Sequence, residues 1–171
     1  MSILSTARIN ASTIQNQAFA NLYNLINTRS NVPDPTDLSG ARKFVHVRLP
    51  RRGRNFPGFP FIVIDRIRPV KGISTVSLTK SFMSFDSTIT VYSQDKDSDS
   101  DANQNGAEQN NLITDNIIKT LNNATNQKDL INNGMSGMEY NIDTDVEDFE
   151  GRTVFTSEFD IRFERSLTQT T

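Results

Sequence analysis

Three observations in the sequence predict an α+β fold, an antiparallel or mixed β-sheet with two α-helices packed on one face. Two segments alternate between apolar and polar residues, two others carry apolar residues at helical spacing, and one short run is apolar throughout.

The first helical segment holds Ile14, Ala18, Leu22 and Leu25/Ile26 at three- and four-residue steps, with Gln, Asn and Arg on the other face. That spacing puts one apolar stripe along a helix over about 12–29, which Asn10 or Ser12 can cap. Val32-Pro33-Asp34-Pro35 ends it, because proline cannot continue a helix and restrains the residue before it. Phe44-Val45-His46-Val47-Arg48-Leu49 predicts a short strand with Val45, Val47 and Leu49 on one face, followed by an exposed loop over 50–58. Phe59-Pro60-Phe61-Ile62-Val63-Ile64 predicts a strand buried on both faces, with the extended segment stopping near Pro69.

The alternating segments come next. Met83, Phe85, Ile89 and Val91 share one face, opposed by Ser84, Asp86, Thr88 and Thr90. Near the end Phe155, Phe159, Ile161 and Phe163 are opposed by Thr156, Glu158, Asp160 and Arg162. A period of two with one apolar side means a sheet that is packed on one face and wet, or in contact with a partner, on the other. Gly151-Arg152 supplies the turn that pairs the last strand with a segment around Met138–Ile142. Between the two long strands lies a polar, acidic loop, and then a second helix over 110–123. Its stripe is Leu112, Ile113, Ile117, Ile118 and Leu121, and Asn122-Asn123 is its stop.

The 171 residues suffice for a single domain over 1–171, with loops expected to be mobile at about 34–58 and 95–109 and a flexible tail at 166–171. No apolar run approaches the roughly 18 residues that cross a bilayer, so no membrane partner is expected. MSILSTARIN lacks the basic-then-apolar order of a secretory signal. The absence of cysteine removes disulfides, thiolate metal sites and cysteine nucleophiles, and suits a reducing cytosol.

Enzymatic chemistry finds no support. His46 is the sole histidine, and a lone histidine in a candidate strand beside several bases is a surface or edge residue far more often than a catalyst. There is no Gly-x-Ser-x-Gly elbow, phosphate loop or G-x-G-x-x-G fingerprint. The acids Asp143, Asp145, Glu147, Asp148 and Glu150 lack the apolar setting that raises a carboxyl for acid catalysis. Asp101-Ala102-Asn103-Gln104-Asn105-Gly106 matches the first half of a calcium loop, but the bidentate acid would fall on Leu112, so a solvated loop is the plainer expectation. No cofactor and no metal are expected.

Charge is unevenly distributed. Residues 1–80 carry twelve Lys/Arg and three acids, a net of +9, and residues 81–171 carry six and seventeen, a net of −11. Such a split marks an interaction surface for nucleic acid, or for copies meeting head to tail, unless the two halves interleave in the fold. Arg48, Arg51, Arg52 and Arg54 form a compact basic loop whose reach suits phosphates, but its neighbours Phe56 and Phe59 border a strand and suit the core better than base stacking. An acidic neighbour is the better partner. The contact residues expected are Arg48, Arg51, Arg52 and Arg54 on one side and Asp145, Glu147, Asp148 and Glu150 on the other.

In their order, these elements resemble the tail-terminator (tail-completion or neck) proteins of long-tailed bacteriophages. An amphipathic helix leads to a Pro/Arg-rich crossing. Phe59–Ile64 is similar to the family's "Y-P-Y-I/V" strand, and Ser87-Thr88-Ile89-Thr90-Val91-Tyr92-Ser93 to its central "v-t-v-w-s" strand. Gly151-Arg152-Thr153 and Phe159-Asp160-Ile161-Arg162-Phe163 resemble the terminal "g-r-w-…-f-r-i-r-y". The likeness covers roughly 12–165 and rests on order and spacing. It implies a virion protein of the tail or neck, assembled in the host cytoplasm as a homo-oligomeric ring, usually a hexamer. Such a ring caps the tail tube protein, stops its polymerisation and meets a head–tail connector or stopper, with genomic DNA passing through the lumen without sequence recognition. Two alternatives are a head–tail adaptor or stopper of the same neck, and a nucleic-acid-binding module using Arg48–Arg54.

Overall fold

The computed structural model describes residues 14–37, 39–51, 53, 56–77, 80–95, 105–133, 135–149 and 151–168. The expected α+β architecture is present, with a six-stranded mixed sheet and, among the described residues, three helices rather than the two expected. In chain order these are α1 (Ile14–Asn27), β1 (Val45–His46), β2 (Phe61–Ile64), β3 (Arg68–Ser77), β4 (Lys80–Gln94), α2 (Gly106–Asn122), α3 (Ala124–Asn132), β5 (Ser136–Phe149) and β6 (Arg152–Thr168). The sheet order is β1-β2-β4-β6-β5, with β3 beside β4 on the same side as β2. β1 and β2 are parallel and every other pair is antiparallel.

The alternation along β4 and β6 builds the core. Phe85, Ile89, Val91, Phe159, Ile161 and Phe163 lie fully or almost fully buried on one face, and register pairs Phe85 with Phe163 and Ile89 with Phe159. Against that face pack Ala18, Leu22 and Ile26 of α1, Ile113, Ile117 and Leu121 of α2, and Leu130 of α3. At roughly 2 kcal/mol for each large apolar side chain removed from water, this layer is the main drive to fold. β2 is buried at all four residues. Ile62 and Ile64 join the helical layer, and Phe61 turns to the opposite face, where its ring lies 5.1 Å from Tyr92, 5.2 Å from Phe59 and 5.8 Å from Phe56. Phe56 and Phe59 are therefore packing residues, as the sequence suggested.

Several boundaries differ from expectation. α1 is described from Ile14, so its expected caps Asn10 and Ser12 lie outside the described residues. Its other end closes locally, where Thr28 Oγ1 and Asn31 Nδ2 donate to the carbonyls of Asn24 and Leu25 at 2.6 and 3.0 Å. The strand expected over 44–49 shortens to Val45–His46, and Val47 and Leu49 stand 42% and 60% exposed rather than sharing Val45's buried face. The chain does not stop at Pro69; β2 ends at Ile64 and a further strand, β3, runs through that proline. It tolerates proline because only one of its sides is paired.

α2 begins earlier than expected, at Gly106, with Asn105 Oδ1 accepting the N–H of Ala107 and Glu108 at 2.9 and 3.4 Å. Leu112, assigned to the apolar stripe, is 50% exposed. Asn123 both ends α2 and caps α3, accepting from the N–H of Thr125 and Asn126. β6 is paired as far as Thr168, inside the segment expected to be a flexible tail.

The crossing from α1 to β2 is laced by polar contacts. Asp34, 4% exposed, accepts from Arg42 Nε at 2.8 Å and from the Thr36 N–H at 2.9 Å. The remaining guanidinium nitrogens of Arg42 donate to the carbonyls of Pro57, Gly58, Phe59 and Pro60.

Candidate functional site

β6 separates β4 from β5, so the sheet has two open margins: β1 and β3 along one, β5 along the other. At about 4.8 Å per strand, β1 and β5 lie about 19 Å apart. The charged residues singled out from the sequence divide between these margins. Arg48 and Arg51 are exposed just beyond β1, and Arg66 and Arg68 are exposed where β2 gives way to β3. Asp145, Glu147 and Asp148 are exposed on β5. Arg52, Arg54 and Glu150 lie outside the described residues. Within one copy Arg48 and Arg51 are kept apart from Asp145, Glu147 and Asp148, while Arg68 stands in register with Asp86 of β4.

The hairpin of β5 and β6 is where the acids concentrate. Register pairs Glu139 with Arg162, Asn141 with Asp160, Asp143 with Glu158, Asp145 with Thr156 and Glu147 with Val154. These positions share the face opposite the helices, and β4 adds Asp86 beside Arg162. From Asp86 to Glu147 this face of β4, β5 and β6 carries seven acids (Asp86, Glu139, Asp143, Asp145, Glu147, Glu158, Asp160) against Arg162, with Arg68 of β3 in register with Asp86. Arg162 is engaged by Asp86 at 3.0 Å. Asp143 directly opposite Glu158 places like charges in a cross-strand pair, a destabilising arrangement in an isolated sheet.

The helix-side face of the same hairpin is apolar. Tyr140, Ile142 and Val146 stand opposite Ile161, Phe159 and Phe155. Ile142 and Val146 remain 39% and 59% exposed. Asp148, assigned with Asp145 and Glu147, falls on this face by register, opposite Thr153. β5 also shows how its open margin is managed. Every second N–H of an edge strand points away from its partner. Thr144 and Val146 donate theirs to the carboxylates of Asp143 and Asp145, at 2.9 and 2.8 Å.

His46 donates from Nε2 to the Lys43 carbonyl at 3.0 Å and sets its ring edge-on to Phe61 at 5.9 Å. Burial against that packing pushes its pKa down, with Lys43 and Arg42 adding to the effect. Among the described residues no group of three or more His, Asp or Glu side chains is placed to hold a metal ion. In the candidate calcium loop, residues 101–104 lie outside the described residues. Asn105 is occupied as a helix cap, and Gly106 is required for packing. A Cβ there would stand 2.7 Å from the Gln94 carbonyl carbon and 2.8 Å from the Asp95 nitrogen.

A recess of about 360 Å³ on the acidic face is lined by Asp86, Glu139, Asp160 and Arg162 among others. A groove of about 460 Å³ between α1 and α3 is lined mostly by asparagine amides, Asn21, Asn24, Asn31, Asn126 and Asn133. Neither recess pairs a nucleophile with a base. No helix among the described residues is long and apolar enough to cross a membrane. No family model matches this chain, and no curated protein matches it.

Proposed function

We propose that this protein is a structural subunit that works by joining copies of itself into a closed ring, without bond chemistry of its own. The observation that carries this reading is the placement of opposite charge on opposite margins of one sheet. A basic margin about 19 Å from an acidic one cannot neutralise itself within a copy. Contact between unlike margins is heterologous, and heterologous contact closes into a ring when the rotation per subunit permits.

The ring is best placed at the end of a bacteriophage tail tube, as a terminator that stops tube growth and offers a surface to the head connector. What supports that placement is the resemblance described above, whose elements recur here in the expected order: opening helix, crossing, Phe61–Ile64 strand, long central strand, second helix and terminal hairpin. The acidic face of β4, β5 and β6 weighs against a nucleic-acid module, since phosphates are repelled by a face on which carboxylates outnumber bases.

Mass photometry of the purified chain is expected to show a closed oligomer. A hexamer would stand near 115 kDa, six times the 19.2-kDa chain. Electron microscopy of the protein mixed with tubes of a bacteriophage tail-tube protein is expected to show a ring at one tube end. A chain that stays monomeric at its highest soluble concentration, with and without tubes, would overturn the reading.

A further inference from the structure

Resting on the ring reading, we infer that the joint is a sheet-to-sheet contact in which Val47–Arg51 of one copy docks along Ile142–Glu147 of the next. The two margins match in pattern. Val45 belongs to the helix-side face, being aligned with Ile62, so an extended chain continuing β1 would present Val47 and Leu49 on that face and Arg48 on the other. On β5 the helix-side positions are Ile142 and Val146, and the opposite positions are Asp143, Asp145 and Glu147. A sheet continued from one copy to the next would therefore set exposed apolar residues against exposed apolar residues on one face, and arginine against carboxylates on the other.

The exposure of each group fits this contact. Val47, Leu49, Ile142 and Val146 are four of the six large apolar side chains that stand exposed among the described residues. Both margins also hold unused strand capacity. The sequence alternates through Leu49, yet β1 is only two residues long. Ile64 lies level with Val47, but the chain bends at Val47–Arg48 and leaves Val47 and Leu49 exposed. Docking would straighten this bend into the added strand. β5 is extended to Phe149, and its outward N–H groups at Thr144 and Val146 are held by the side chains of Asp143 and Asp145. A neighbour's Arg48 competes for those carboxylates with a charge-assisted bond, and releasing them frees the N–H groups for the neighbour's backbone. The acids also choose the partner. Two β5 margins would oppose carboxylate to carboxylate, so a symmetric pair through β5 is disfavoured and the basic margin is favoured.

Charge reversal on each margin tests this. Arg48→Glu with Arg51→Glu, and separately Asp145→Lys with Glu147→Lys, should each raise the concentration at which the oligomer forms by about tenfold or more. All four residues are exposed, and circular dichroism checks that each variant keeps its fold. The two variants mixed in equal amounts should assemble again, because each then presents to the other one reversed margin and one native margin. A chain carrying all four changes should assemble alone. A wild-type chain that assembles while the mixture and the fourfold variant do not would overturn the margin contact and leave the ring reading standing. A wild-type chain that never assembles would remove both.

Discussion

Arg42 sets one guanidinium against five acceptors: a carboxylate oxygen of Asp34 and the carbonyls of Pro57, Gly58, Phe59 and Pro60. Asp34 is buried, so removing its partner leaves a carboxylate away from water with Thr36 as its main donor. Arg42→Ala is expected to cost about 3 kcal/mol in chemical denaturation, as for breaking one side of a buried pair. Arg42→Lys should recover less than half, because an ammonium cannot span the same fork of acceptors. Close by, the Ser39 hydroxyl and then the N–H of Arg42, with those of Gly40 and Ser39, hold the Asp37 carboxyl well below the usual carboxylate range. Its contribution is therefore present above the ordinary carboxylate pKa and lost as pH falls below it. His46 runs on a different window. Its folded pKa lies below the ordinary value of about 6.5, so the unfolded chain takes up the proton first and stability drops as pH falls through that value. Its imidazole resonance, the only one in the chain, should titrate with a midpoint below 6.5. A midpoint at or above 6.5 would mean that the ring is not covered by Phe61.

The first turns of α2 meet β4 and β6 through a polar seam, before Ile113, Ile117 and Leu121 continue the contact on the apolar face. Asn110, 4% exposed, donates to the carbonyls of Val91 and Phe155, and Ser157 and Thr114 close around its amide oxygen. Ser93 Oγ donates to the Gly106 carbonyl at 2.6 Å, and Asp95 Oδ1 accepts the Gly106 N–H at 2.7 Å. Gly106→Ala pushes a methyl into the backbone at Gln94–Asp95 and should cost about 2 kcal/mol, read as a lower melting temperature. Asn105→Ala removes the cap alone and should cost about 1 kcal/mol. The two long strands and the two amphipathic helices were legible because burial on one face forces period two on a strand and a stripe on a helix. α3 was not legible, since of Ala124–Asn132 only Leu130 is buried, Ile131 is exposed, and the rest apart from Ala124 is polar, so no apolar stripe marks it. β3 was hidden by Pro69, which reads as a stop unless the strand is known to be unpaired on one side. Residue types at the candidate contact were legible as a charge split. Their division between two margins was not, because it depends on β6 lying between β4 and β5, which no local pattern encodes.

Salt separates what the acidic hairpin does to one copy from what it does between copies. In a monomer Asp143 faces Glu158 with Asp145, Glu147 and Asp160 nearby, and the dominant effect is repulsion. Added salt shortens the screening length to about 8 Å at 0.15 M and weakens that repulsion, so the melting temperature of a monomeric form should rise. Between copies the same carboxylates attract the basic margin, and the same screening should weaken assembly. The two trends have opposite sign and the same cause. Glu158→Gln should accordingly stabilise the monomer by about 0.5 kcal/mol, the scale of one cross-strand pair, while raising the concentration needed for assembly. Thermal melts of the charge-reversed monomer Asp145→Lys/Glu147→Lys supply the control. With two of the repelling acids replaced by lysine, its melting temperature should depend less on salt than that of the Arg48→Glu/Arg51→Glu monomer, whose hairpin is native. If both monomers respond to salt alike, the hairpin is not a repelling cluster, and charge on β5 loses its place as the reason the chain seeks a second copy.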